Sequence, residues 1–242
     1  MLDRTYQETL EIKKRKVNEL LQQEKIGYNV TKIYGASNPF AYRNKMIITF
    51  KMQNKKIVAG FYEEDTHKVI DLDICLLHST LQNEIAKFIK DLVIKLKLPP
   101  YDEDHRMGLI RHVLIRESTA TGEVMIVFVV GNEIFPARSV VVKAIREKFP
   151  MVKTIVQNLN TRKTSIVLGE KERILFGKGY IEESLCGLNF KITPKSFFQV
   201  NYRQTEVLYN LISDYVDLRK QEVLLDAYSG VGTIGLILSS RV

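Results

Sequence analysis

The run Glu222-Val-Leu-Leu-Asp-Ala-Tyr-Ser-Gly-Val-Gly-Thr-Ile-Gly-Leu-Ile-Leu238 constrains the fold more than any other stretch. Its apolar segment, Val223 to Leu225, has the pattern of a buried parallel strand. Asp226 ends that strand, Gly230 and Gly232 supply a tight turn, and Thr233 to Leu238 open a helix. A strand, glycine loop and helix in that order suit nucleotide-type ligands, because glycine lets the backbone approach a ligand with no Cβ between them.

Three readings of the loop remain open on its residues alone. Gly230, Gly232 and Gly235 spell the dinucleotide pattern G-x-G-x-x-G, whereas a P-loop is excluded because no Gly-Lys-Ser/Thr follows. Asp226, four residues before the first glycine, favours a cationic ligand over a pyrophosphate; the amino and sulfonium groups of S-adenosylmethionine are of that kind. The third reading is a turn without a ligand, in which Asp226 only caps backbone N–H groups.

Upstream lies Ile192-Thr-Pro-Lys-Ser-Phe-Phe-Gln-Val-Asn201. The pairing of Ser196-Phe-Phe-Gln-Val-Asn201 with Asp226-Ala-Tyr-Ser-Gly-Val-Gly232 resembles the RNA uracil-5-methyltransferase family, and within it the bacterial enzymes that act on 23S ribosomal RNA. Weaker similarity runs back through Gly108-Leu-Ile-Arg111, Val69-Ile-Asp-Leu-Asp-Ile-Cys75 and Pro39-Phe-Ala-Tyr-Arg-Asn-Lys45, so nearly the whole chain is covered. The resemblance implies S-adenosylmethionine as cofactor and 23S rRNA as partner. It implies that Gln199 contacts the methyl donor, that Tyr228 lies beside its adenosine end, and that Gly230 and Gly232 act through backbone approach.

Methylating C5 of uracil needs a thiolate that adds to C6 and a base that removes the C5 proton. In the family both lie well downstream of the glycine loop, so the chain is expected to be a fragment that is inactive alone. Cys186, the one cysteine near the motif, reads as a small buried hydrophobe in an alternating strand beside Leu185 and Leu188. In cluster-bearing family members a fourth iron–sulfur ligand follows a Val-Asp segment as Cys75 follows Val69-Ile-Asp-Leu-Asp-Ile74. Cys75 is therefore a candidate remnant ligand: the cluster would belong to the full-length protein and is not expected in this chain. An ordinary part-buried cysteine is the alternative.

Thirty-six basic against 28 acidic residues give a net charge of +8, which favours a polyanionic partner. Arg111 and Arg116, with Arg106 and His112 nearby, fall on or near one expected strand. With Tyr42, Arg43 and Lys45 they could form a basic, aromatic face for splayed-out RNA bases. His67, His78, His105 and His112 show no metal-ligand spacing. Two cysteines exclude a disulfide framework, and no signal peptide or membrane-length apolar run is found. A cytoplasmic monomer without membrane association is expected.

Before the motif, the periodicity predicts an α+β pattern of mostly antiparallel sheet with helices on one face. A helix is predicted from Leu2 to Lys25, with Lys13-Lys-Arg-Lys16 as its solvated or RNA-facing run. A hairpin carries Met46, Ile48, Phe50 and Met52, turns at Lys55-Lys56 and returns with Ile57, Ala59 and Phe61. Ser79-Thr-Leu-Gln82 resembles a capping box for a helix that stops before Pro99-Pro100. Strands are predicted at Leu109 to Glu117, Glu123 to Val130, Thr154 to Asn158 and Ser165 to Leu168, and near Ile174, Ile181 and Phe190, with a helix at Ser139 to Lys148. Residues 1–192 are expected to form a central α+β domain of RNA-binding type. Residues 193–242 are expected to begin a Rossmann-like α/β methyltransferase domain.

Overall fold

The structure, a computed structural model, describes residues 4–163, 166–216 and 222–241. Its chain divides into two compact units, Met1–Phe40 and Ala41–Val242. In the first, α1 (Tyr6–Gln23) starts where Thr5 and Glu8 form a capping box: Glu8 N donates to Thr5 Oγ1 and Thr5 N to Glu8 Oε2. The helix was expected from Leu2; the first residues of that span lie outside the described residues, and the reciprocal cap fixes the start at Tyr6. The return segment is fastened by Asn18 Oδ1, which accepts from Val30 N at 2.6 Å, and Tyr6 Oη, which accepts from Ala36 N at 2.6 Å. Lys14, from the basic run, donates to the Thr31 carbonyl at 3.1 Å.

The second unit begins with the hairpin β1 (Lys45–Gln53) and β2 (Lys56–Tyr62). Its turn is one residue earlier than predicted: Asn54 and Lys55 both adopt positive φ, the geometry that matches the right-handed twist of a two-residue hairpin. β3 (Val69–Asp71) adds to β2, and α2 (Thr80–Lys95) opens with the predicted capping box, in which Gln82 N donates to Ser79 Oγ and Ser79 N to Gln82 Oε1. β4 (Ile110–Glu117) and β5 (Val124–Val130) pair antiparallel, while β5 and β6 (Val152–Leu159) pair parallel across α3 (Arg138–Lys148). A parallel pair needs such a crossover. β7 (Lys171–Gly177) closes a mixed seven-stranded sheet of order β3-β2-β1-β4-β5-β6-β7.

Both faces of this sheet are covered at its centre, and all seven residues of β5 are buried. On one face Met46, Ile48, Phe50, Ile126 and Phe128 pack under Ile85, Ile89 and Val93 of α2 and Val141 and Ile145 of α3. On the other, Leu114, Met125, Val127 and Val129 meet a small hairpin, β8 (Ile181–Leu185) and β9 (Leu188–Ile192), together with Phe198 and Tyr209 of α4 (Tyr202–Tyr215) and its approach. At about 25 cal/mol per Å² of apolar surface removed from water, these two layers are the main stabilising contribution.

Two predicted strands do not form. From Ile166 to Leu168 the carbonyls are taken by side chains instead of a ladder: Asn160 Nδ2 donates to the Ile166 and Val167 carbonyls, and Asn158 Nδ2 to that of Gly169. Ser165 lies outside the described residues. Val223 to Leu225 forms no regular element and has no strand partner among the described residues, and Val223 and Leu225 are 97% and 86% exposed. Without a neighbour to accept its ladder bonds, an apolar run is not a strand.

Candidate functional site

The stretch before α4 is positioned from the start of β1 and from β4, two interior strands of the sheet. Asn44, buried just ahead of β1, donates its backbone N–H to the Val200 carbonyl at 2.9 Å and its side-chain amide to the Gln199 carbonyl at 3.1 Å. Arg116 of β4 donates to the Ser196 carbonyl at 3.0 Å. Asn201 then caps α4, its side chain accepting from Gln204 N. Four anchors in six residues hold the segment, and they leave Gln199 and Phe197 exposed while Phe198 is buried.

The glycine loop lies against this segment. Tyr228, Gly230 and Gly232 all have positive φ, which a bulky tyrosine adopts only under strain. α5 (Thr233–Leu238) follows, and Thr233 Oγ1 meets Tyr209 Oη of α4 at 3.0 Å. Asp226 Oδ2 accepts from Gly235 N at 2.8 Å, so the carboxylate folds back onto the helix that the loop opens. A Cβ on Gly235 would sit 2.8 Å from Asp226 Oδ2 and 3.1 Å from Asp226 Cβ. The third glycine of the pattern therefore makes room for the carboxylate.

Between the loop and residues 197–199 is a cavity of about 200 Å³, lined by Gln199, Asp226, Tyr228, Ser229 and Gly230 and by Phe197, Tyr209, Thr233 and Leu185. Among the described residues, Asp226 is its only charged lining residue. A pyrophosphate would meet a carboxylate and no cation there, whereas a cationic ligand meets its counter-charge. Phe197 and Tyr228 present exposed rings, 68% and fully exposed, on which a base can lie. The donor set thus suits a nucleoside carrying positive charge. Phe197 and Tyr209 were not singled out from the sequence; adjacency to Phe198 hides which of two aromatic rings faces outward.

Cys186 sits at the tip of the β8–β9 hairpin, in place of the predicted strand position. Cys186 and Gly187 both take positive φ, as a two-residue turn demands. Burial first and the Glu206 carboxylate second raise its pKa, so it stays a thiol. Cys75 lies elsewhere: its Sγ is 3.0 Å from His78 Nδ1, and its N–H donates to Asn83 Oδ1 at 2.8 Å. Among the described residues no group of three His, Cys, Asp or Glu side chains converges to hold a metal.

Of the four basic candidates, three come together. Lys45 is directly opposite Arg116 in the β1–β4 register, and the pKa of the half-buried Lys45 ammonium is lowered by desolvation first and then by Arg116 and Arg43. Arg116 is itself 3% exposed and is lowered to about 10 by burial, against the pull of Glu183. The Nε atoms of Arg43 and Arg116 are buried without a hydrogen-bond partner. Arg111 stands apart, 3% exposed and held by Glu103 at 2.6 Å and the carbonyls of Asn160 and Arg162. Arg43 and Lys45 are thus the half-buried members of the group.

No protein-family model matches the chain. It is 38% identical over 238 residues to an uncharacterised RNA methyltransferase of Clostridium tetani, covering 98% of this chain and 52% of that protein. An uncharacterised RNA methyltransferase of Caldanaerobacter subterraneus is 37% identical over 240 residues, with 98% and 53% covered. The crystal structure of Pyrococcus abyssi tRNA (uracil-54, C5)-methyltransferase in complex with S-adenosyl-L-homocysteine matches with a TM-score of 0.78 at 27% identity. That match covers 98% of this chain and 54% of that one. The chain spans about half the length of the curated relatives it matches. No helix among the described residues is long and apolar enough to cross a membrane.

Proposed function

We propose that this chain supplies the donor-binding loop and an RNA-contacting sheet of an S-adenosylmethionine-dependent RNA uracil-5-methyltransferase acting on 23S ribosomal RNA. The observation that carries the reading is the cavity whose only charged lining residue among the described residues is Asp226, walled by aromatic rings and a polar amide. Residues 1–192 are assigned to an RNA-contacting α+β domain and 193–242 to the beginning of the donor domain. The relatives' shared description as RNA methyltransferases, and the S-adenosyl-L-homocysteine bound by the structural neighbour, support the methyltransferase reading.

When bound, S-adenosylmethionine supplies an electrophilic methyl group on a sulfonium. Asp226 faces the cationic end of the donor and is kept in place by its bond to Gly235 N. Phe197 and Tyr228 flank the adenine, Gln199 offers its amide to the polar edges, and Gly230 and Gly232 let the backbone close in. Arg43 and Lys45 meet RNA phosphates beside this segment, where an anion relieves the repulsion among three crowded cations. Cys186 is not given the nucleophile's part, because its thiol is raised in pKa and shaped by a turn.

A transfer RNA substrate is the second reading, favoured by the named substrate of the structural neighbour. Filter binding of 23S rRNA and tRNA transcripts at rising salt separates the two. RNA held through several phosphates gives a log–log slope of about −0.7 to −0.9 per phosphate contact, with the ribosomal transcript bound more tightly. An affinity that does not move with salt overturns RNA binding through charge. Tighter binding of the tRNA overturns the ribosomal assignment.

A further inference from the structure

A second cavity, of about 220 Å³, opens over β1, β2 and β4 and shares no lining residue with the first. Thr49 and Lys51 of β1, Tyr62 of β2 and Arg111 and His112 of β4 line it from the sheet, and residues 100–104 wall it. Its volume is below the range of drug-sized sites and suits a single ring system.

Two polar side chains beneath it are nearly enclosed, Arg111 at 3% exposure and His112 at 7%. His112 Nδ1 pairs with Thr49 Oγ1 at 3.1 Å, and its other ring nitrogen has no hydrogen-bond partner among the described residues. Arg111 is engaged through both terminal nitrogens, while its Nε is enclosed without an acceptor. Buried polar side chains are normally satisfied, so the unpaired ring nitrogen of the nearly enclosed His112, which lines the opening, points to a ligand that completes it, whereas Arg111 is engaged already and its Nε is sealed off. The walls are aromatic: the Arg111 guanidinium lies over the Tyr101 ring at 4.9 Å, and Tyr62 stands opposite on β2.

The rim sets the ligand class. Asp102 closes on His105 Nδ1 at 2.9 Å, whereas the Asp104 carboxylate accepts no hydrogen bond from the described residues and stays exposed. A ligand here meets the Asp104 carboxylate at the rim and the His112 imidazole beneath it. Guanine alone among the RNA bases places two N–H donors side by side, N1 and N2, next to a carbonyl. Adenine sets an acceptor beside its amine, and uracil flanks its single N–H with two carbonyls, which a carboxylate repels.

We propose that this cavity seats one unstacked guanine base of the bound RNA, with Asp104 accepting from N1–H and N2–H and the His112 side facing O6. The inference rests on the RNA-binding reading above and adds a base-reading site to it. The rings of Tyr62 and Tyr101 supply the stacking surface that a splayed-out base requires.

Fluorescence anisotropy with labelled single-stranded uridine decamers carrying one central guanosine, inosine or adenosine tests it. Guanosine binds about tenfold more tightly than adenosine, the gain of one bidentate base contact. Inosine, which lacks the N2 amine, falls between. Asp104→Asn, at an exposed rim position, brings the guanosine-to-adenosine ratio to near one. Thr49→Val, which unpins His112, lowers the ratio as well. Salt-dependent binding that is equal for all three decamers overturns the pocket and leaves the RNA reading standing, as does an undiminished ratio in Asp104→Asn. No binding of any decamer by folded protein overturns the RNA reading and the base site with it. Guanosine monophosphate binding as tightly as the decamer overturns RNA as the source of the base.

Discussion

Replacing His112 changes how stability depends on pH, and the size of the effect follows from its burial. Desolvation, and after it the Arg111 guanidinium, lower the imidazole to about 4 from its ordinary 6.5, with Glu103 pulling the other way. The folded state then stays unprotonated at His112 while the unfolded chain takes up a proton below about 6.5. The folded pKa is depressed, so the stabilisation is complete above 6.5 and is lost as pH falls towards 4. Integrating over that window gives a loss on the order of 1 kcal/mol between pH 7 and 5.5, and on the order of 2 kcal/mol between pH 7 and 4.5. His105, whose pKa its Asp102 partner raises, is present in both proteins and cancels in the difference. Urea unfolding of the native chain and His112→Gln at pH 7, 5.5 and 4.5 reads it: the stability gap between the two narrows or reverses by these amounts. A gap that is constant with pH refutes the claim that His112 is held neutral by burial.

Gly235→Ala adds about 1 kcal/mol of helix propensity to α5, but its Cβ displaces the Asp226 carboxylate and loses a charge-assisted bond of about 1.5 kcal/mol. The melting temperature should therefore move by only a few degrees while donor binding, followed by saturation-transfer NMR, is lost; a large drop in stability with binding kept would mean that the glycine serves packing. Asn44→Ala removes the bond to the Gln199 carbonyl and should cost about 1 kcal/mol. Hydrogen exchange of residues 197–201 should accelerate selectively, and unchanged protection there would remove Asn44 as the anchor of the segment.

Much of the architecture was legible because it is written in local rules. The capping box at Ser79 and the alternation of Met46, Ile48 and Phe50 were each read within one element. What was missed depends on distant partners. The Val223 to Leu225 run has the composition of a buried strand, yet burial is a property of neighbours that composition does not contain. The fastening of Gln199 by Asn44 spans 155 positions and leaves no local signal. Alternation also failed at Arg111, where a register shift between Ile110 and His112 inserts an extra residue into β4 and turns the arginine towards Asn160 and Glu103. Asp226 was picked out from its place in the sequence, whereas its bond to Gly235, and hence the reason for the third glycine, is visible only in three dimensions.

On the proposed reading, Asp226 makes the loop a site for a cationic nucleoside. Saturation-transfer NMR of the chain with S-adenosylmethionine, S-adenosylhomocysteine and a nicotinamide dinucleotide, repeated on Asp226→Asn, tests it at affinities too weak for calorimetry. Transfer is expected to both adenosyl ligands, stronger for the sulfonium, and none to the dinucleotide, with the sulfonium preference lost in Asp226→Asn. Transfer to the dinucleotide, or a sulfonium preference that survives the substitution, would contradict it.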